Sequence, residues 1–393
     1  MSNEIRVAVI GAGMAGKAHA AAFRSASTLY SPVLPPIRLV SIGDMNPEFG
    51  SLAARRFGYE RTDSSWQAIA EADDIDVVSV VIANSLHRQA VEGLLAAGKH
   101  VLCEKPLSDT MEDARAMAEL ASKASGIARV GFTFRRTPGI AYIRDLIRTG
   151  VLGEVLHFSG RYWTDYGFDA AAPMSWRYKG GAGSGALADV GSHLAYVSEF
   201  LCGDITAVSG GRLSTVIKER PLPLGAVMGH DHTPVSDTFE PVENDDYAAF
   251  SAEFANGGSG GFEVSRVAAG HANSLIFEVF CANGSARFDQ RRPAEIELFL
   301  NEGTSAQNGY RQVILGPEHP YLAGGLPMDA PSVGFGQNEA FAYQARAFLE
   351  EVAGVSEAES LPRCATFEEG VRNMEVLAAV AASAQANGKL VTI

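Results

Sequence analysis

Residues 11 to 16 read Gly11-Ala12-Gly13-Met14-Ala15-Gly16, between an apolar run, Ile5-Arg6-Val7-Ala8-Val9-Ile10, and a helix-like run that opens at Met14. Three glycines at this spacing mean little alone, but between a strand and a helix each has a physical task. Gly11 permits the tight turn, Gly13 lets the backbone approach a pyrophosphate, and Gly16 lets the helix sit close on the strand. The helix start adds unpaired N–H groups and a positive dipole end, so Gly11, Gly13, Met14, Ala15 and Gly16 are predicted to bind a dinucleotide. That turn also demands a parallel sheet around it.

The first third of the chain meets the demand by alternating strand-like and helix-like segments: 38–42 then 51–56, 76–83 then 85–97, 100–103 then 110–124. Thr110 with Asp113 makes a capping-box pattern for the last of these helices. Beyond about residue 150 the pattern changes to long alternating strands near 155–163, 205–216, 247–254, 261–268, 275–282 and 295–300, joined by Asn256-Gly257 and Asn283-Gly284 turns. Hairpin turns of this kind predict a mainly antiparallel sheet. The fold class expected is α/β: an N-terminal Rossmann dinucleotide-binding domain, residues 1–135, and a C-terminal α+β domain with a large open sheet, residues 136–393. The stretches 221–244 and 316–336 read as loops, and Thr366 with Glu369 caps a final helix, 366–387, able to pack back on the first domain.

Composition narrows the functional classes. A chain of 393 residues with 47% hydrophobic content builds more than one core. Its net charge of -14 disfavours nonspecific binding to nucleic acid or to an anionic membrane. Cys103, Cys202, Cys281 and Cys364 lack metal-type spacing and read as buried thiols of a reducing compartment. With no signal-like segment before Gly11 and no membrane-length apolar run, a cytoplasmic location is expected. His230-Asp231-His232 lacks the distant partner cluster that a metal site needs, so no metal is expected.

Asp44 ends the second strand, where a carboxylate accepts hydrogen bonds from ribose hydroxyls and repels a 2'-phosphate. It lies further from the glycine turn than the usual roughly 20 residues, an excess attributed to the insertion Tyr30-Ser31-Pro32-Val33-Leu34-Pro35-Pro36. No arginine follows Asp44, which favours NAD over NADP; a turn aspartate is the plainer alternative. Further along, Gly98-Lys99-His100-Val101-Leu102-Cys103-Glu104-Lys105-Pro106-Leu107 resembles the signature of the Gfo/Idh/MocA oxidoreductases, the family of glucose-fructose oxidoreductase and inositol dehydrogenase. Val81-Ile82-Ala83-Asn84-Ser85-Leu86-His87 resembles its T-P-N-x-x-H segment. Residues 182–193, ending Leu187-Ala188-Asp189-Val190-Gly191-Ser192-His193, resemble its G-x-L-x-D-x-G-x-H segment. With Ser175-Trp176-Arg177 and Asn244-Asp245-Asp246, the likeness covers nearly the whole chain. Two departures stand out: Ala83 replaces the proline of the second segment, and Tyr196 stands where many relatives carry a carboxylate.

The residues themselves make a coherent site. Lys105 follows a strand's carboxyl end, where open parallel sheets bind ligands, and its ammonium can stabilise charge on a reacting oxygen. Pro106 allows a cis bond there, which the resemblance implies. Asp189 and His193, four apart on a helix, share one face. Histidine suits a base near neutral pH, so His193 is assigned that role with Asp189 beside it; a helix-capping aspartate and a buried structural histidine are the alternatives. Asn84, His87, Glu104, Lys105, Trp176 and Arg177 complete the expected cofactor set. Arg135, Tyr162, Trp163 and Asp165, with Lys105, Asp189 and His193, form the expected substrate set, aromatic faces stacking on sugar C–H and charged groups bonding hydroxyls. Trp176 and Arg177 are also candidates there.

These parts, with the resemblance, imply an NAD-dependent dehydrogenase of a secondary alcohol on a cyclic polyol, sugar or anhydrosugar, such as an inositol or levoglucosan, assembled as a homo-oligomer through the C-terminal sheet. Two alternatives use the same parts: a glycosidase that oxidises its substrate transiently on NAD, and a sensor that binds NAD and sugar without turnover.

Overall fold

The computed structural model describes residues 4–31, 34–225, 227, 233–302 and 305–393. The His230-Asp231-His232 segment lies outside them. The chain divides into two compact units, Met1–Thr137 with Gly316–Met374, and Pro138–Leu315 with Glu375–Ile393. The chain passes between them three times, after residues 137, 315 and 374, where the change of sequence pattern predicted a single cut near residue 135.

In the first unit, strands Ile5–Ile10 (β1), Ile37–Gly43 (β2), Arg61–Asp63 (β3), Val77–Val80 (β4), His100–Cys103 (β5) and Ala128–Val130 (β6) form one sheet in the order β3-β2-β1-β4-β5-β6. Every pairing is parallel. The strand order reverses between β1 and β4, and a reversal of this kind opens a crevice at the strands' carboxyl ends. Helices Met14–Ala26 (α1), Pro47–Phe57 (α2), Trp66–Glu71 (α3), His87–Ala96 (α4) and Met111–Lys123 (α5) make the crossovers. Their starts follow local chemistry: Asn46, Ser65 and Thr110 each accept first-turn N–H groups of the helix that follows.

The later segment joins this unit because helix Gln337–Val352 is apolar where α1 is apolar. Ala345, Phe348 and Leu349 share a core with Ala20, Phe23 and Ala26. On the same helix Arg346 is fully buried against Glu350, at 2.6 Å. A bridge between Val130 and Ala365 ties the following stretch to β6.

The second unit is built on nine strands: Val155–Trp163 (β7), Ile205–Ser214 (β8), Tyr247–Phe254, Ser259–Ser265, Ser274–Cys281, Gly284–Asp289, Glu295–Leu300, Arg311–Ile314 and Val391–Thr392. All pairings are antiparallel except that of Val155–Trp163 with Ser259–Ser265, so the sheet is mixed. On its inner face Phe158, Phe262 and Phe277 stack, and helices Pro138–Arg148 (α6) and Ser192–Cys202 (α7) pack there. Between 219 and 241, inside a stretch expected to be loop, a two-stranded hairpin forms from Glu219–Pro223 and Val235–Pro241. Prolines at 221, 223, 234 and 241 hide it from a search for alternating strands. At the other expected cap, Thr366 and Glu369 bond reciprocally, Thr366 N–H to Glu369 Oε2 at 2.8 Å and Glu369 N–H to Thr366 Oγ1 at 3.2 Å. Helix Phe367–Gln385 follows.

Candidate active site

In the first unit the glycine turn has the geometry its spacing predicts. Gly11 has φ +104°, and a Cβ there would lie 2.0 Å from the Val81 carbonyl oxygen. A Cβ on Gly16 would lie 1.9 Å from the Gly11 carbonyl oxygen, whereas one on Gly13 would meet nothing within 4 Å. Two glycines are therefore required by close packing and the middle one faces open space. No side chain caps α1 at Gly13, and Met14 is 62% exposed, so the first-turn N–H groups of Met14, Ala15 and Gly16 stay available. Asp44 accepts Ala12 N–H through Oδ2 and Asn46 N–H through Oδ1, both at 2.8 Å. A carboxylate offers about four acceptor sites, so capacity for ribose hydroxyls remains. This open glycine, uncapped helix start and adjacent carboxylate fit a dinucleotide.

Beside the turn, the exits of β4 and β5 supply Asn84 and the pair Glu104-Lys105. Asn84 is half-buried at the head of a short 3₁₀ turn. Lys105 is half-buried, and the Lys105–Pro106 peptide is cis. The Lys105 N–H donates to Glu104 Oε2 at 3.0 Å, while Glu104 Oε1 lies 2.9 Å from His19 Nε2. His87, expected at the cofactor, is fully buried with Nδ1 3.1 Å from the Leu107 carbonyl and Nε2 3.1 Å from the Ile82 carbonyl. Burial pushes its pKa down, and both ring nitrogens are enclosed between the loops after β4 and β5. Arg135, expected at the substrate, pairs with Glu369 at 3.2 Å, and its carbonyl accepts from the Tyr321 hydroxyl at 3.3 Å. In this unit it is a cation that orients the start of the last helix.

In the second unit Asp189 lies in a π-helical turn, Leu187–Gly191, that runs straight into α7, where His193 is the second residue. Wide turns of this type recur at functional sites because they displace one residue from the regular helical face. The Tyr166 hydroxyl donates to Asp189 Oδ2 at 2.7 Å. Burial, and then the charge of Asp189, push the Tyr166 phenol well above its ordinary pKa, which keeps it a donor. Tyr162 connects the pair. Its ring centroid lies 6.0 Å from that of His193, and its pKa is raised by burial and by Asp189. The Tyr162 hydroxyl donates to Asn273 Oδ1 at 2.7 Å.

Trp163 goes elsewhere. Side chains alternate along a strand, so Trp163 leaves the sheet on the face opposite Tyr162. There Arg161 sits 4.3 Å from its ring and His271 packs edge-on at 4.9 Å. Two aromatic neighbours in sequence thus have different surroundings, and only Tyr162 joins His193. Asp165 is half-buried in the turn after β7. Trp176 is 61% exposed with the Arg177 guanidinium 4.5 Å from its ring. The Tyr196 side chain is buried in α7 and stacks on Phe200, away from solvent.

Sequence reasoning left Asn244-Asp245-Asp246 without a role, and this turn is the hub of the second unit's polar interior. Asp245, 2% exposed, accepts N–H groups from Gly183, Gly185 and Leu187 at 2.9, 3.1 and 2.8 Å. Gly185 is obligatory here, since a Cβ would lie 2.1 Å from the Asp245 carbonyl oxygen. Asn244 Nδ2 donates to the Arg177 and Lys179 carbonyls, and Asp246 accepts from buried Arg266 Nε at 2.8 Å. Arg266 also donates to the Arg177 carbonyl at 2.9 Å. One turn thereby sets both the Trp176-Arg177 segment and the start of the helix carrying Asp189 and His193. Three consecutive polar residues with two carboxylates between strands were the available signal. Tyr166, also missed, had none beyond its type.

Residues 5–132 match the model described as oxidoreductase family, NAD-binding Rossmann fold, and residues 140–287 match the Gfo/Idh/MocA C-terminal domain. The chain is 36% identical over 357 residues to levoglucosan dehydrogenase of Pseudarthrobacter phenanthrenivorans, 89% of each chain being covered. It is 27% identical to scyllo-inositol 2-dehydrogenase (NAD(+)) of Bacillus subtilis, over 78% of this chain and 80% of that one. Among solved structures, levoglucosan dehydrogenase in complex with NADH and levoglucosan superposes with a TM-score of 0.88 at 33% identity, covering 99% of both chains.

Proposed function

The chain belongs to the Gfo/Idh/MocA oxidoreductase family, and from that premise we propose that it is an NAD-dependent dehydrogenase oxidising a secondary alcohol of an anhydrosugar such as levoglucosan, or of a related cyclic sugar or polyol. The observation that carries this reading is the gathering of His193, Asp189, Tyr162 and Tyr166 in a chain whose other unit holds an uncapped glycine turn beside Asp44. Likeness to levoglucosan dehydrogenase over 89% of both chains supports the substrate class.

NAD, when bound, supplies the hydride acceptor. The remaining work falls to the protein. Gly11, Gly13 and the N–H groups of Met14, Ala15 and Gly16 hold the pyrophosphate, and Asp44 holds ribose hydroxyls and selects against a 2'-phosphate. His193 takes the proton of the reacting hydroxyl, and Asp189 balances the imidazolium that results. Tyr166 fixes one Asp189 oxygen. Lys105 donates to the reacting oxygen and stabilises the charge it gains as its O–H bond breaks.

The assembly is read as a homo-oligomer through the large sheet, closed symmetric assemblies being the usual form of soluble oligomers. Four free buried cysteines support a reducing, cytoplasmic setting.

A screen for NADH absorbance with levoglucosan, other anhydrosugars, inositols, aldoses and glycosides, run with NAD and with NADP, tests the reading. NADH formation on an anhydrosugar or polyol, preferring NAD by tenfold or more (roughly 1.4 kcal/mol), is expected. Glycoside cleavage without net reduction of NAD would replace the dehydrogenase with a glycosidase.

A further inference from the structure

Lys105 stands just past the end of β5, and its backbone is held by the residue before it. Glu104 turns its carboxylate back to accept the Lys105 N–H, at 3.0 Å through Oε2. Its other oxygen, Oε1, meets His19 Nε2 at 2.9 Å, and His19 Nδ1 meets Ser79 Oγ at 2.7 Å. Ser79 and His19 are 0% and 1% exposed, and the Glu104 side chain is 12% exposed. His19 lies on α1, the helix whose start is the glycine turn, and Ser79 lies on β4, between β1 and β5. Three side chains therefore connect the dinucleotide helix to the amide of Lys105.

We propose that Ser79, His19 and Glu104 form a positioning chain for Lys105, His19 holding the Glu104 carboxylate in the orientation that sets the lysine turn. This rests on reading Lys105 as the group that holds the reacting oxygen. The chain has a definite direction of donation. The Glu104 carboxylate can only accept, and Ser79 Oγ lies 2.7 Å from His19 Nδ1 against 3.4 Å from the Leu102 carbonyl. The ring then carries its proton on Nε2 and donates to Glu104. A buried His–Glu contact is a poor way to gain stability, since apolar side chains of similar volume serve as well. It is a good way to fix a carboxylate. Gly131 also approaches the carboxylate closely, since a Cβ there would lie 2.6 Å from Glu104 Oε1. Phe341 packs on the His19 ring at 5.1 Å between centroids and closes that side.

The test uses the full chain and two independent routes to the same carboxylate. His19→Leu removes the donor, His19→Gln keeps an N–H near the Nε2 position, and Gly131→Ala pushes on Oε1 without touching His19. Displacement of a reacting group by about 1 Å costs up to roughly 100-fold. We expect kcat to fall by about 10- to 100-fold in His19→Leu and in Gly131→Ala, with most of the loss recovered in His19→Gln. NADH affinity, read by fluorescence titration, should fall by less than kcat does, since the glycine turn and Asp44 are untouched and only the Glu104-Lys105 part of the expected cofactor set is displaced. Unchanged kcat in both His19→Leu and Gly131→Ala, equal loss in the Leu and Gln variants, or NADH affinity falling in step with kcat each overturns the proposal. A second readout needs no turnover. In protein labelled with nitrogen-15 in its histidine rings, the resonances absent from His19→Gln should belong to a ring protonated on Nε2, and a bare Nε2 overturns the proposal. Wild-type protein that reduced no NAD would sink the dehydrogenase reading and leave this chain to be judged by that ring nitrogen.

Discussion

The two units hold their key residues by the same device at very different ranges. In the first, a carboxylate accepts the N–H of the next residue, Glu104 to Lys105. In the second, the Asp245 carboxylate accepts three N–H groups of the turn leading to Asp189, from 58 to 62 residues away in sequence. The first unit's site is consequently written in short motifs at strand ends, each readable on its own. The second unit's site is an agreement between a glycine-rich turn and a distant polar turn, neither of which identifies the other. Short-range positioning survives local change in the rest of the unit, whereas long-range positioning makes the site depend on the stability of the whole sheet.

Removing chemistry and removing support should separate these cases. The largest effect is expected for His193→Ala, a loss of roughly 100- to 10,000-fold in kcat with NADH affinity preserved, measured by steady-state rates and fluorescence titration. Retention of more than a tenth of wild-type kcat would remove His193 from the role of base. Asp245→Ala leaves two buried N–H groups and one half-buried one without their acceptor, at about 1–3 kcal/mol for each buried group, so it should destabilise the protein by about 2 kcal/mol or more in urea denaturation. The equivalent loss at Glu104 involves one backbone N–H and the His19 ring N–H, and Glu104→Ala should destabilise less than Asp245→Ala; a reversed order would break the contrast between the units. Tyr166→Phe removes one charge-assisted bond to Asp189 and should lower kcat by about tenfold while leaving urea stability nearly unchanged. If stability falls and kcat does not, Tyr166 belongs to packing alone.

The smallest effect concerns pH. Burial lowers the pKa of His87, so below its unfolded value the unfolded chain binds the proton more readily than the folded one. The associated stability is fully present above about pH 6.5 and is lost as pH falls through that value toward the depressed folded one. His100 shifts the same way by burial. His87→Gln should therefore flatten part of the fall in stability between about pH 7 and pH 5, read from denaturation midpoints. An unchanged slope would show that the ring is charged in the folded state.

Much of the first unit was legible because its determinants are local. The glycine turn after the first strand answers to backbone geometry, and the carboxylate at 44 and the lysine at 105 sit at strand exits, where open parallel sheets bind ligands. His87 was misread for the same reason: its motif placed it near the crevice, while its burial on two carbonyls depends on loops that the motif does not describe. In the second unit the strands at 155–163, 247–254 and 295–300 were visible from alternation and turns. Trp163 and Tyr162 were indistinguishable as site residues until the sheet assigned them opposite faces.

The sequence by itself determined that a parallel sheet would present a glycine turn, a carboxylate and a lysine at its strand ends, because steric exclusion of a Cβ and the exit points of strands act within a few residues. Only the tertiary structure decided that Gly316–Met374 joins the first unit, that Asp245 grips the turn before His193, and that His19 reaches Glu104. These depend on apolar faces and polar hydrogens finding partners far along the chain, and burial is a property of the packed whole, which no local pattern encodes.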